Sequence, residues 1–274
     1  MVNRITIQNR MFDNLPAELQ AALGEVQEWI TPPQGMSGAR VELARTTHGT
    51  YALKYAVGAL YGSWLAREYR LLNALSPLAL PAPRAHALVR RDTGVSPERW
   101  LLMDALPGET LSAVLLKTAD TPTRRMLLRG FGQTLARIHA SAVSTGVPHP
   151  QPSWLDAMLD EAAENLEHFS VDGTPELLAH LRQTRPQPIS QTLIHGDYTI
   201  DNVMVADGRV SGIIDWSGGA LGDPRHDLAL ATRPQDEAFS ADREADLQAF
   251  YEGYGSPPLS QTEFDYYNGL DEFF

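Results

Sequence analysis

Cysteine is absent from the 274 residues, which removes disulfide frameworks, thiolate metal sites and cysteine nucleophiles from consideration. No apolar run approaches the ~18–20 residues that a membrane-spanning helix needs. The opening MVNRITIQNR lacks the apolar stretch of about 7–15 residues and the small-residue cleavage site of a secretory leader. A soluble, cytoplasmic protein is therefore expected. Lysine is nearly missing: of 22 basic residues, only Lys54 and Lys117 are lysines. Basic charge is also short in the second part of the chain. Residues 1–107 carry 9 acidic and 11 basic side chains, whereas 108–274 carry 25 and 11. That excess of acid argues against nucleic acid or an anionic membrane as partner, and it suits a small cationic ligand. Apolar residues make up 43% of the chain, enough to build one large domain or two lobes around a cleft.

Apolar spacing divides the chain into two styles. Residues 15–30 read as one amphipathic helix, closed by Thr31-Pro32-Pro33. Strands follow over 41–45 and 50–55, joined by His48-Gly49, and then a helix over 63–75 with Leu65, Tyr69, Leu72 and Leu75 on one face. A short apolar strand covers 100–103, and Pro107-Gly108 breaks the chain after it. The remainder reads as mostly helical, over 122–140, 153–169, 175–182, 241–251 and 260–274. Short strands at 193–194, 203–205 and 210–214 carry polar residues at their ends. Asp223-Pro224 reads as an N-cap followed by Pro at the first helical position.

Chemistry concentrates in His195-Gly196-Asp197-Tyr198-Thr199-Ile200-Asp201-Asn202 and Ile213-Ile214-Asp215-Trp216. An Asp, an Asn five positions later and an Asp thirteen beyond it, parted by a hairpin-like stretch, suit phosphoryl transfer. Such a reaction needs a base to orient the attacking hydroxyl, here Asp197. It also needs hard oxygen ligands for Mg²⁺, here Asn202 and Asp215. Lys54, a compact ammonium inside a strand, suits a point contact to phosphates. Glu68 is the only acid between Lys54 and Asp92 and is its expected partner.

On these residues the chain resembles the aminoglycoside phosphotransferase family, from about residue 35 to residue 274. The resemblance implies a two-lobed, protein-kinase-like α+β fold, with a small N-terminal sheet lobe and a larger, mainly helical C-terminal lobe. Residues 1–103 would be the nucleotide-binding lobe, 104–108 the hinge and 109–274 the catalytic and substrate-binding lobe. ATP and Mg²⁺ would lie between the lobes. By the same resemblance Ser37 would touch phosphate and Lys54 would pair with Glu68. The adenine would meet the hinge at Met103, Asp104 and Leu106. His195 would orient the loop, and Asp227 would be the buried acid that bonds its backbone. His139 reads as a satisfied core or helix-end histidine, and Asp223 as a helix cap.

The ending Tyr266-Tyr267-Asn268-Gly269-Leu270-Asp271-Glu272-Phe273-Phe274 is similar to that of the aminoglycoside 3′-phosphotransferases. There, Asp271, Glu272 and the terminal carboxylate of Phe274 would line an acceptor site for a polycation. Glu237 and the helix acids Asp160 and Glu164 would complete it. The segment from Asp215-Trp216 to Gly222-Asp223-Pro224 departs from the 3′ type and looks more like general small-molecule kinases. Phosphorylation of an aminoglycoside hydroxyl is the leading expectation. A kinase for an amino alcohol, sugar amine or macrolide, and a nucleotide-binding pseudokinase, are the rivals.

Overall fold

The computed structural model describes residues 15–33, 38–142, 145–234 and 243–274. Ser37 and Glu237 lie outside the described residues.

The described residues open with a short helix, α1 (Ala17–Leu23), and not the longer helix that the apolar spacing of 15–30 suggests. Leu19 and Leu23, one turn apart, bury the inward face of α1. Gly24 then adopts φ +66°, a left-handed conformation that ends the helix at low cost only for glycine. Residues beyond it extend as β1 (Val26–Ile30) and pair antiparallel with β2 (Arg40–Thr46), Ile30 opposite Leu43. With the helix already ended at Gly24, pairing with β2 satisfies the backbone of 26–30 and overrides the weak helical pattern.

β3 (Gly49–Val57) runs through the middle of a five-stranded antiparallel sheet of order β1-β2-β3-β5-β4. Both β4 (Ala85–Asp92) and β5 (Pro97–Asp104) follow the helix α2 (Ala59–Leu75). Alternation along β3 decides the chemistry. Leu53 and Tyr55 face the α1 side, packed with Leu19, Leu23, Trp100 and Leu102. Ala56 faces the α2 side with Leu65, Leu71, Leu101 and Met103, and two-residue periodicity puts Lys54 on that face too. On α2 the buried positions are Gly62, Leu65, Glu68, Leu71, Leu72 and Leu75. One charged residue therefore sits in an otherwise apolar stripe.

After Asp104 the chain turns into β6 (Glu109–Thr110), α3 (Leu111–Lys117) and the long α4 (Thr121–His139). Next come α5 (Trp154–His168), α6 (Pro175–Gln183), and the short strands β7 (Thr192–Ile194), β8 (Val203–Ala206), β9 (Arg209–Ile213) and β10 (Ala220–Gly222). The helices α7 (Pro224–Ala231), α8 (Arg243–Tyr254) and α9 (Gln261–Asp271) close the chain. One apolar core runs without a break from α2 and β5 through Trp216 to α4 and α8. A second joins α5, α6 and α9 around Trp154, Leu181, Tyr267 and Phe273.

Candidate active site

The β8–β9 hairpin brings the two ends of the motif together. Val203 pairs with Ile213, and Ile214 N donates to Asn202 O at 2.9 Å. Asn202 and Asp215 thus flank the open end of one hairpin. Asp215 has φ +62° and ψ +62°. A non-glycine residue in that region carries strain, which functional sites commonly retain. Its Oδ1 lies 3.3 Å from Lys54 Nζ and accepts from Ser217 Oγ at 3.2 Å. Both contacts use Oδ1, which leaves Oδ2 for a cation. The Lys54 ammonium holds this carboxyl below the ordinary carboxylate range, against the opposing effect of burial.

Lys54 Nζ also donates to both oxygens of Glu68, at 2.9 and 2.8 Å. Both side chains are buried. Burial by itself would lower the lysine's pKa, but Asp215 and Glu68 more than offset it, and the ammonium stays charged well above neutrality. Glu68 interrupts the apolar stripe of α2 because its partner waits on β3.

Asn202 Nδ2 donates to Asp197 O at 2.9 Å and to Asp197 Oδ2 at 2.7 Å. With both acceptors on one side, the amide can point only one way, and Asn202 Oδ1 is left as a hard oxygen donor. Asp197 opens onto the cleft surface, yet protein on most sides keeps bulk water from solvating it fully. That desolvation, then the charges of Asp215 and Asp271, push its carboxyl up to about 7, while the Asn202 hydrogen bond pulls the other way. Solvent reaching the carboxyl through the cleft mouth screens part of this shift; the upward direction is what bears on catalysis.

The loop beneath is held by backbone bonds to one acid. Asp227 Oδ2 accepts from His195 N at 2.7 Å, and Oδ1 from Gly196 N at 2.8 Å. Such charge-assisted bonds are worth about 1.5–3 kcal/mol each. Gly196 has φ +85°, and a Cβ there would overlap the Gly218 carbonyl, so the loop can pass only as glycine. His195 accepts the Asp197 N–H at Nδ1 (3.2 Å) and donates from Nε2 to Ile214 O (3.0 Å). Both bonds suit the neutral ring, and burial lowers its pKa. His139 bridges Asp227 Oδ2 (3.1 Å) and the Tyr254 hydroxyl (2.8 Å), the satisfied buried role expected from its helical context.

Near the end of β5, between β3 and β4, Met103 is buried. Asp104 N donates to Arg84 O at 3.0 Å, so its N–H is taken and not offered to an adenine ring nitrogen; an adenine amino group, a donor, would need a carbonyl such as that of Asp104. Leu106 lies across Gly212 of β9. The four-residue C-terminal end folds back onto α5. Phe273 is buried, with its ring against Gly173, Asn165 Nδ2 donates to Phe273 O at 2.9 Å, and Gly173 N donates to Glu272 O at 2.7 Å. Phe274 is exposed. Asp271 Oδ2 pairs with Arg233 Nη2 at 2.8 Å, a partner no sequence pattern indicated. Of the helix acids, Asp160 is exposed and lies 3.7 Å from Arg182 on α6, and Glu164 is exposed. Their neighbour Glu161 instead reaches Arg67 on α2, at 2.9 Å.

A model of the phosphotransferase enzyme family matches residues 28–267, and the chain belongs to that family. It is 27% identical to an aminoglycoside 3′-phosphotransferase of Niallia circulans over 97% of this chain and 100% of that relative. It is 28% identical to one of Streptomyces fradiae over 77% of this chain and 80% of that relative. Among solved structures, a thermostable mutant of an aminoglycoside phosphotransferase in ternary complex with ADP and hygromycin B superposes with a TM-score of 0.66 at 17% identity, covering 94% and 88% of the two chains. At that identity the likeness is one of fold, which is the two-lobed, protein-kinase-like α+β fold. The protein is a phosphotransferase acting on a hydroxyl acceptor. Among the described residues no helix is long and apolar enough to cross a membrane.

Proposed function

We propose that the protein transfers the γ-phosphoryl group of ATP to a hydroxyl of an aminoglycoside, and that Asp197 is the base. The observation that carries this reading is the pair Asp197–Asn202 set against Asp215, Lys54 and Glu68 across one cleft. Residues 1–103 would form the nucleotide lobe, 104–108 the hinge and 109–274 the acceptor lobe. Asp197 takes the proton of the acceptor hydroxyl as the new O–P bond forms and the bond to ADP breaks. Lys54, fixed by Glu68, meets the nucleotide phosphates. Asn202 Oδ1 and Asp215 Oδ2 are hard donors that fit Mg²⁺, which when bound neutralises phosphate charge. The acceptor class is supported by the match to 3′-phosphotransferases over nearly the whole chain and by the acidic end of α9, whose Asp271 acts electrostatically on Asp197.

The neutralisation of Asp271 by Arg233 gives the rival reading some support, since a paired acid attracts a cation less. Under it, the acceptor is a less cationic amino alcohol, sugar amine or macrolide. ADP-release turnover with Mg²⁺ and ATP across aminoglycosides, macrolides and amino alcohols tests both, with mass spectrometry of the products. Phosphorylated aminoglycoside is the expected product. Turnover confined to a macrolide or amino alcohol would overturn the aminoglycoside reading and keep the kinase; no turnover with any acceptor would overturn both.

A further inference from the structure

Helix α9 is fastened to α7 and its two flanks at three places along its length. At its first turn, Arg225 Nη1 donates to Glu263 Oε1 at 2.9 Å. At its middle, the Tyr267 hydroxyl donates to Asp223 Oδ2 at 2.7 Å. At its end, Arg233 Nε donates to Asn268 Oδ1 at 2.6 Å, and Arg233 Nη2 pairs with Asp271. The same α7 carries Asp227, which holds the backbone of His195 and Gly196. One helix of two turns thus grips the catalytic loop with one side chain and the helix that ends in Asp271 with its flanks.

The middle joint is the driest. Tyr267 is fully buried, and Asp223 and Arg225 are buried beside it. Asp223 has three tasks: it caps α7 through Arg225 N (2.9 Å), pairs with the Arg225 side chain (2.7 and 3.0 Å), and accepts from Tyr267. Burial, and then the Asp223 charge, keep the Tyr267 hydroxyl protonated, so it is a permanent donor. Tyr267 stands four residues before Asp271, one turn away on the same helical face. A shift of the joint would therefore move the acid as well.

We infer that α7 is the mount that sets the acceptor helix in register with the catalytic loop, and that Tyr267, acting through Asp223, is a positioning residue for acceptor binding. The inference rests on the reading above that the end of α9 faces the acceptor. Tyr266 offers an internal control. It is also buried, but its hydroxyl donates to Leu181 O of α6 at 3.2 Å, away from α7.

The test compares full-length Tyr267→Phe and Tyr266→Phe, each of which loses one buried hydroxyl. Tyr267→Phe should raise the KM for an aminoglycoside such as kanamycin by roughly 3–10-fold, the equivalent of one net hydrogen bond. Its KM for ATP should stay unchanged, and Tyr266→Phe should change neither. In hydrogen exchange, the amides of residues 268–274 should open faster in Tyr267→Phe than in Tyr266→Phe. Equal exchange in the two variants would overturn the mount. Faster exchange with an unmoved acceptor KM would overturn the positioning role. Should the unaltered enzyme turn over no aminoglycoside, the acceptor reading fails separately, and the exchange comparison alone decides the mount.

Discussion

To act as the proposed base, Asp197 must be a carboxylate, yet its surroundings favour the acid. The cleft and the charges of Asp215, Asp271 and Asp227 raise its pKa to about 7, and only the Asn202 bond opposes them. The acid limb of the kcat/KM profile should therefore lie above the ordinary carboxylate range, with activity lost as pH drops through it. Asp271→Asn removes a like charge, lowers the Asp197 pKa and should move that limb to lower pH. The same shift carries a stability sign. The folded state holds this proton more tightly than the unfolded chain, so stability declines as pH rises from the ordinary 3.8 towards about 7. Asp197→Asn should cut kcat by roughly 10²–10⁴ while raising the melting temperature above neutral pH, a gain that fades in acid. The second residue-scale case is the buried pair. Lys54→Met leaves the buried Glu68 without its cation, and breaking such a pair costs about 3–5 kcal/mol. Lys54→Met combined with Glu68→Leu should recover most of that in urea unfolding yet remain inactive. A recovery of turnover in the double variant would show that neither charge serves the nucleotide.

Among elements, the end of α9 combines two tasks that must be tested apart. Phe273 is buried in the core shared by α5, α6 and α9, and Phe273→Ala should cost about 3–5 kcal/mol, read by denaturant unfolding. Deleting residues 271–274 would remove that anchor together with the acids, so a lost acceptor affinity would not identify its cause. Asp271→Asn is the cleaner probe. Its ion pair with Arg233 is about one-third exposed on the arginine side, so it adds little to stability. Acceptor KM should rise with the melting temperature nearly unchanged, and an unmoved KM would take Asp271 out of the acceptor site.

At the scale of the whole molecule, the charge is lopsided. Residues 1–107 are net +2 and residues 108–274 net −14, so the negative charge lies in the part that would receive the acceptor. A polycation should be drawn to that face, and the attraction should weaken as added salt shortens the screening length to about 8 Å at physiological ionic strength. The kcat/KM for an aminoglycoside should therefore fall several-fold from low to high salt, more steeply than kcat/KM for ATP. Parallel salt slopes would mean that the acidic face serves solubility and not recognition.

The sequence by itself determined what is local. The Asp197, Asn202 and Asp215 set is readable because one hairpin spans it, and strand alternation places Lys54 on the face that Glu68 meets from the next helix. Asp223 declares itself as a cap through the Pro that follows. Periodicity also delimits the long helices, since a buried stripe leaves its mark every three or four residues. It failed at residues 26–30, where five residues fit either period until β2 supplies a partner, and at β4, an edge strand that ends in Arg90, Arg91 and Asp92. Only the tertiary structure decided the long-range pairs: Arg233 with Asp271, Tyr267 with Asp223, Glu161 in place of Asp160 and Glu164 against the α2 lobe. An ion pair or buried hydroxyl leaves no periodic trace in sequence. Its partner is fixed by how α7, α9 and α5 pack, and the packing is set by apolar residues that never touch the charges they bring together.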